Sequence, residues 1–111
     1  MMSSTQMLKG ILEGCLLAVI SKGEIYGYEM TKVLSSYGFS DISEGSIYPI
    51  LLRMQKENWV KTELKASASG PKRKYYTLTP QGEEELQSFI TKWKTLSESV
   101  DALLDKKVEG K

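Results

Sequence analysis

Apolar residues recur at helical spacing in four stretches, and β-forming residues dominate two more. In residues 7–21, Leu8, Ile11, Leu12, Cys15, Leu16 and Val19 step by 3, 1, 3, 1, 3, the stripe of an amphipathic helix. Leu17, Ala18 and Ile20 add apolar surface on its other side, so burial on more than one side is expected. Lys22-Gly23 ends it, with glycine as a left-handed cap. Gly27–Ser36 reads as a second helix with Met30, Val33, Leu34 and Tyr37 inward and Gly38 as its stop. Met1–Thr5 reads as a frayed start and Val108–Lys111 as a loose tail.

The third helix, over Ser43–Glu57, has two unlike faces. Ile47, Ile50, Leu51 and Met54 fall at i, i+3, i+4, i+7 and are expected to bury. Ser46, Tyr48, Arg53 and Lys56 are left outside with Leu52. Hydroxyls near the start and cations further on suit a helix laid in the DNA major groove, where phosphates flank it. Asp41 or Ser43 supplies the cap. Pro49 forfeits a hydrogen bond inside a helix. It implies either a kink or a late start near Gly45, and the late start is preferred.

Trp59–Leu64 and Lys74–Leu78 read as two strands, joined by a long flexible tip over 65–72 that carries a Gly-Pro turn signal. Tyr76 and Leu78 share one face of the second strand, Tyr75 and Thr77 the other. Two strands alone are marginal, so one face must pack on the helices. Thr79-Pro80 then starts a last helix, threonine as N-cap and proline at the first helical position. Glu83, Glu84 and Glu85 complement its dipole. To about Lys107 its residues Leu86, Phe89, Trp93, Leu96, Val100 and Leu103 step by 3, 4, 3, 4, 3, a heptad seam widened by Ile90 and Leu104. A helix of about 27 residues spans about 40 Å, longer than so small a domain can cover. A second copy of the same helix is the economical partner.

The order is three helices, a hairpin wing and a long helix. The expected class is mainly α with a β-hairpin wing (α+β): a winged helix-turn-helix over 1–78 and a dimerisation helix over 79–111. Net charge is only +1 over 111 residues. Its distribution says more: residues 59–78 hold Lys61, Lys65, Lys72, Arg73 and Lys74 against Glu63 alone. Two such wings in a dimer bring about eight positive charges to a duplex, so binding should weaken steeply with salt. The single cysteine, Cys15, excludes an intrachain disulfide and is expected to pack in the core. No histidine is present, no thiol–base pair and no phosphate-cradling glycine loop, so neither an enzyme nor a metal or cofactor site is expected. No secretory signal or spanning segment is visible, and a cytoplasmic protein is expected.

Three segments together, Tyr26-Gly-Tyr-Glu-Met30, Gly45-Ser-Ile-Tyr-Pro-Ile-Leu-Leu-Arg-Met54 and Gly70-Pro-Lys-Arg-Lys-Tyr-Tyr-Thr-Leu-Thr-Pro-Gln-Gly82, resemble the PadR family of bacterial transcriptional regulators, in its short subfamily with one C-terminal helix. The family has Gly-Thr-Leu-Tyr-Pro where this chain has Gly45–Pro49, and Arg-Arg-Lys-Tyr-Tyr where it has Lys72–Tyr76. Both differences keep the chemistry. The resemblance implies that Pro49 is tolerated in its helix, that Ser46 and Tyr48 meet DNA, and that Lys72, Arg73 and Lys74 meet phosphate or the minor groove from the wing. Arg53 and Lys56 join them from helical geometry alone. Some members of the short subfamily hold flat aromatic compounds between two tryptophans of the paired helices, and Trp93 falls in the matching place. As a plain seam residue Trp93 would only fill space. Ser97 stands where drug-binding members carry an acid, which weakens any case for cationic ligands.

The expected function is therefore a dimeric, sequence-specific DNA-binding repressor of a pseudo-palindromic operator, released by a small aromatic effector at the dimer interface. Leu8, Ile11, Leu12, Leu86, Phe89, Trp93, Leu96, Val100 and Leu103 are the expected dimer contacts. The alternative is a winged-helix module that meets an acidic protein and no DNA.

Overall fold

The computed structural model describes residue 8, residues 10–40 and residues 42–109. The expected frayed start, the Asp41 cap and the last two tail residues lie outside them. The elements are α1 (Leu12–Ser21), β1 (Ile25–Tyr26), α2 (Glu29–Ser36), α3 (Glu44–Lys56), β2 (Val60–Ser67), β3 (Gly70–Leu78) and α4 (Pro80–Glu109). The expected winged helix-turn-helix with a long C-terminal helix is the fold observed.

Leu8 is helical, but a turn at Gly10 and Ile11, in which the Ile11 amide donates to the Leu8 carbonyl at 2.9 Å, interrupts the apolar stripe before α1 begins at Leu12. Leu12, Leu16, Leu17, Val19 and Ile20 are all buried, so both sides of α1 are covered. Gly23, at φ +142°, ends the turn that follows. In α2, Met30 and Leu34 bury, but Tyr37 does not; it is 64% exposed. The helix stops at Ser36, and Gly38 at φ +101° turns the chain so that Phe39 packs on the core instead.

Ser43 caps α3, its hydroxyl accepting from the Ser46 amide at 3.2 Å. The helix thus begins at Glu44 and Pro49 lies in its second turn. The carbonyl that proline deprives of a partner belongs to Gly45, four residues back. At the far end Asn58 adopts φ +65°. The Asn58 amide donates to the Gln55 carbonyl at 3.1 Å and the Trp59 amide to that of Met54 at 2.9 Å. This is a Schellman stop with asparagine in the left-handed position.

The sheet has three strands in the order β1-β3-β2, all antiparallel. Strand β1, pairing Ile25 with Tyr76 and Tyr26 with Tyr75, was not expected. The hairpin is also longer and its tip tighter than the sequence implied. Pairing runs out to Ser67 with Gly70, through an irregularity between Lys65 and Ser67. Pro71 costs nothing there, because it stands at the start of its strand.

Thr79 joins wing to α4. Its hydroxyl accepts from the Gly82 amide at 3.0 Å and donates to the Asn58 carbonyl at 2.6 Å, and its amide reaches the Trp59 carbonyl at 3.0 Å. Gly82 lies so close to this corner that a Cβ there would come within 2.0 Å of the Trp59 carbonyl oxygen. Along α4, Leu86 is buried and Phe89 packs on Gly14 of α1. Beyond them the helix stands clear, giving the chain extents of 60 × 29 × 20 Å. It continues through Val108 and Glu109, so the helix reaches into the stretch expected to be loose. No helix among the described residues is long and apolar enough to cross a membrane.

Candidate nucleic-acid interface

Burial of Ile47, Leu51 and Met54 fixes the roll of α3. Ser46, Tyr48, Leu52 and Lys56 are thereby exposed. Ser46 keeps its hydroxyl 3.1 Å from that of Ser43, so it shares in the cap. Tyr48 faces the sheet across a hollow of about 470 Å³ walled by Tyr26, Tyr28, Tyr76 and Lys74. Burial, then the neighbouring Tyr48, push the Tyr76 phenol above its ordinary pKa.

Arg53 rolls the other way. Its guanidinium pairs with the Glu13 carboxylate of α1 and lies 5.4 Å from the centre of the Trp59 ring. Of the cations on α3, only Lys56 stands without an ion pair among the described residues.

Strand alternation splits the three cations of β3. Lys72 and Lys74 share the face of Tyr76, with Lys74 half-buried and 5.7 Å from that ring. Arg73 stands on the opposite face, 4.8 Å from the ring of Tyr26. Lys65 is spoken for: Glu24 holds its ammonium at 2.6 Å and raises its pKa, and the Tyr75 ring lies beneath at 5.1 Å. The wing's local charge is therefore smaller than its own residues imply. Neither Glu13 nor Glu24 shows in a segment-by-segment count, because each arrives from a distant part of the chain.

At the other end, the expected dimer contacts divide. Leu12 and Leu86 are used in the chain's own core and Phe89 packs against it. Leu8, Ile11, Trp93, Leu96 and Val100 line an open groove of about 650 Å³ together with Phe39 and Asp101. Leu103 lies beyond it, 71% exposed. Asp101, two turns after Trp93, puts a carboxylate in a groove that the Ser97 position had left neutral. Cys15 packs on the core, and burial raises its thiol pKa, so the reactive thiolate is disfavoured.

The family model for "Transcriptional regulator PadR-like family" matches residues 16–88, from α1 through the wing into α4. The chain belongs to the PadR-like family of transcriptional regulators. This is a family of regulators and not of enzymes. A PadR-like transcriptional regulator from Bacillus cereus strain ATCC 14579 has a crystal structure with TM-score 0.80 and 56% identity, over 89% of this chain and 96% of that one. A Streptococcus transcriptional regulator follows with 42% identity and TM-score 0.78, over 90% and 98%. Bacillus subtilis PadR in complex with operator DNA has TM-score 0.66 and 27% identity, over 72% of this chain but 46% of that one. The negative transcriptional regulator PadR of Bacillus subtilis strain 168 is 26% identical over 92 residues, half of its length. The PadR-like match ends at residue 88, before Trp93 and the exposed seam.

Proposed function

We propose that this PadR-like protein is a cytoplasmic, dimeric, sequence-specific DNA-binding repressor. The observation that carries the reading is the free polar face of α3 beside a cationic wing: Ser46, Tyr48 and Lys56 on the helix, Lys72, Arg73 and Lys74 on the hairpin. In this reading α3 enters the major groove and the wing grips the flanking backbone. Arg53 contributes only after it releases Glu13. The related Bacillus subtilis protein supports the choice of ligand, since its structure holds operator DNA, and its name supports repression.

Dimerisation uses the exposed part of α4, with Trp93, Leu96, Val100 and Leu103 as contacts and Leu8 and Ile11 at the groove's near wall. Leu12, Leu86 and Phe89 hold α4 to its own chain, so they set the angle at which the rest projects. Two recognition helices about one DNA turn apart then read a pseudo-palindromic operator. A flat aromatic effector beside Trp93 would alter the spacing of those helices and release DNA. The test of this coupling is ligand titration with and without operator; equal affinity in both would remove it.

Binding is tested by fluorescence anisotropy on duplexes from upstream of the protein's own gene. With Lys72→Ala and Arg73→Ala together, affinity and salt dependence should both fall. Unchanged values would favour the protein-contact module instead.

A further inference from the structure

Arg53, Lys65 and Arg73 are held in two different ways. Glu13 holds Arg53 and Glu24 holds Lys65. A carboxylate neutralises the cation and takes up its donors. Arg73 has no carboxylate within ion-pair distance among the described residues; it has the ring of Tyr26 at 4.8 Å. A ring orients a guanidinium by cation–π attraction and takes up none of its N–H donors.

The nearby acids are engaged or lie beyond reach. Glu29 accepts from the Tyr26 amide at 3.3 Å, and Glu24 is on Lys65. Glu63 lies on the same sheet face, opposite Tyr75, and does not pair with Arg73. Tyr26 is itself fixed: its backbone pairs with Tyr75 in the ladder, and its ring packs 5.7 Å from that of Tyr75 and 6.1 Å from that of Tyr28. The ring lies on the Tyr75 and Arg73 face of the sheet, while the Tyr26–Gly27 stretch also borders the hollow between α3 and the wing. A short edge strand from the far side of α1 thus delivers one rigid aromatic platform beneath one wing guanidinium.

We propose that Tyr26 is a positioning residue for DNA binding, holding Arg73 ordered and with its donors free. The proposal rests on the DNA-binding reading above. Ordering the side chain before binding removes part of the entropy lost when it meets a phosphate or a base edge. The ring, and not the phenol hydroxyl, does this, so phenylalanine should serve.

The test is a double-mutant cycle in anisotropy on the upstream duplex, with Tyr26→Leu, Tyr26→Phe, Arg73→Ala and the Tyr26→Leu/Arg73→Ala pair. Tyr26→Leu should weaken binding by about two- to fivefold, Tyr26→Phe should bind like the wild type, and Tyr26→Leu should cost nothing more once Arg73 is alanine. A loss that persists without Arg73, or that phenylalanine shares, overturns the positioning role. If Arg73→Ala weakens binding and Tyr26→Leu does not, positioning alone falls. If Arg73→Ala binds like the wild type, the role of Arg73 at DNA falls and the proposal with it. Should Tyr26→Leu not fold, Tyr26→Ile, a better strand former, replaces it. A readout without DNA stands beside the cycle: ring current should move the Arg73 side-chain protons upfield in the unaltered protein. Random-coil positions there would also overturn the proposal.

Discussion

Gly82→Ala probes the corner from which both the wing and α4 are set. Alanine is favoured over glycine inside a helix by about 1 kcal/mol, so helix propensity alone predicts a more stable protein. The geometry predicts the opposite. The new Cβ would lie 2.0 Å from the Trp59 carbonyl oxygen, 2.9 Å from its carbon and 3.1 Å from the Leu78 side chain. The first two are backbone atoms and have no rotamer by which to leave. Overpacking costs about 1–3 kcal/mol. Moving Trp59 also stretches the bonds that Thr79 makes to Trp59, Asn58 and Gly82, at 3.0, 2.6 and 3.0 Å, and weakening one of them costs about 1 kcal/mol. After the propensity gain is subtracted, a net loss of about 2 kcal/mol remains. For a domain of this size that lowers Tm by about 10 °C. Thermal unfolding followed by circular dichroism reads it, at one fixed protomer concentration because dimerisation would add to stability. A variant that melts at or above the wild type would refute the reasoning.

Glu13→Gln frees the Arg53 guanidinium and removes a nearby negative charge, so DNA affinity should rise by about two- to fivefold in anisotropy, and unchanged affinity would leave Arg53 a purely structural residue. Tyr76, whose pKa is raised by burial, stays protonated in the folded chain after an unfolded tyrosine has ionised. Stability is therefore undiminished below the ordinary value of 10.0 and is lost as pH rises from there through the folded pKa. Chemical denaturation between about pH 9 and 11 should show a shallower decline for Tyr76→Phe than for the wild type, and parallel declines would contradict the assignment. Leu96→Glu with Leu103→Glu should leave the core intact and give a single chain in sedimentation equilibrium where the wild type gives a pair; identical masses would move the dimer contact elsewhere.

Local signals carried the reading furthest. The apolar stripe of α3, the Thr79-Pro80 start of α4 and the cations of β3 lie within a few residues of the features they announce, and each stands where its pattern implied. What escaped is non-local. Strand β1 has only Ile25 and Tyr26, too few for a period, and it exists because β3 offers them an edge. The hairpin tip looked loose because Ser, Gly and Pro crowd it, yet cross-strand pairing reaches Ser67 and Gly70. Tyr37 fits the α2 stripe by spacing, but the helix ends before it and Phe39 takes the core position. Within the candidate site, the exposed face of α3 was legible, while the capture of Arg53 by Glu13 and of Lys65 by Glu24 needed the tertiary fold. Gly82 showed only as a residue in a motif; its reason is the carbonyl of Trp59.

The most direct measurement is the stoichiometry and salt dependence of the complex on a duplex from the protein's own promoter, by sedimentation and anisotropy together. Two chains per duplex are expected. With Lys56, Lys72 and Arg73 of both copies on phosphate, log affinity should fall against log salt with a slope of about −5. A single chain per duplex, or an affinity indifferent to salt, would contradict the account.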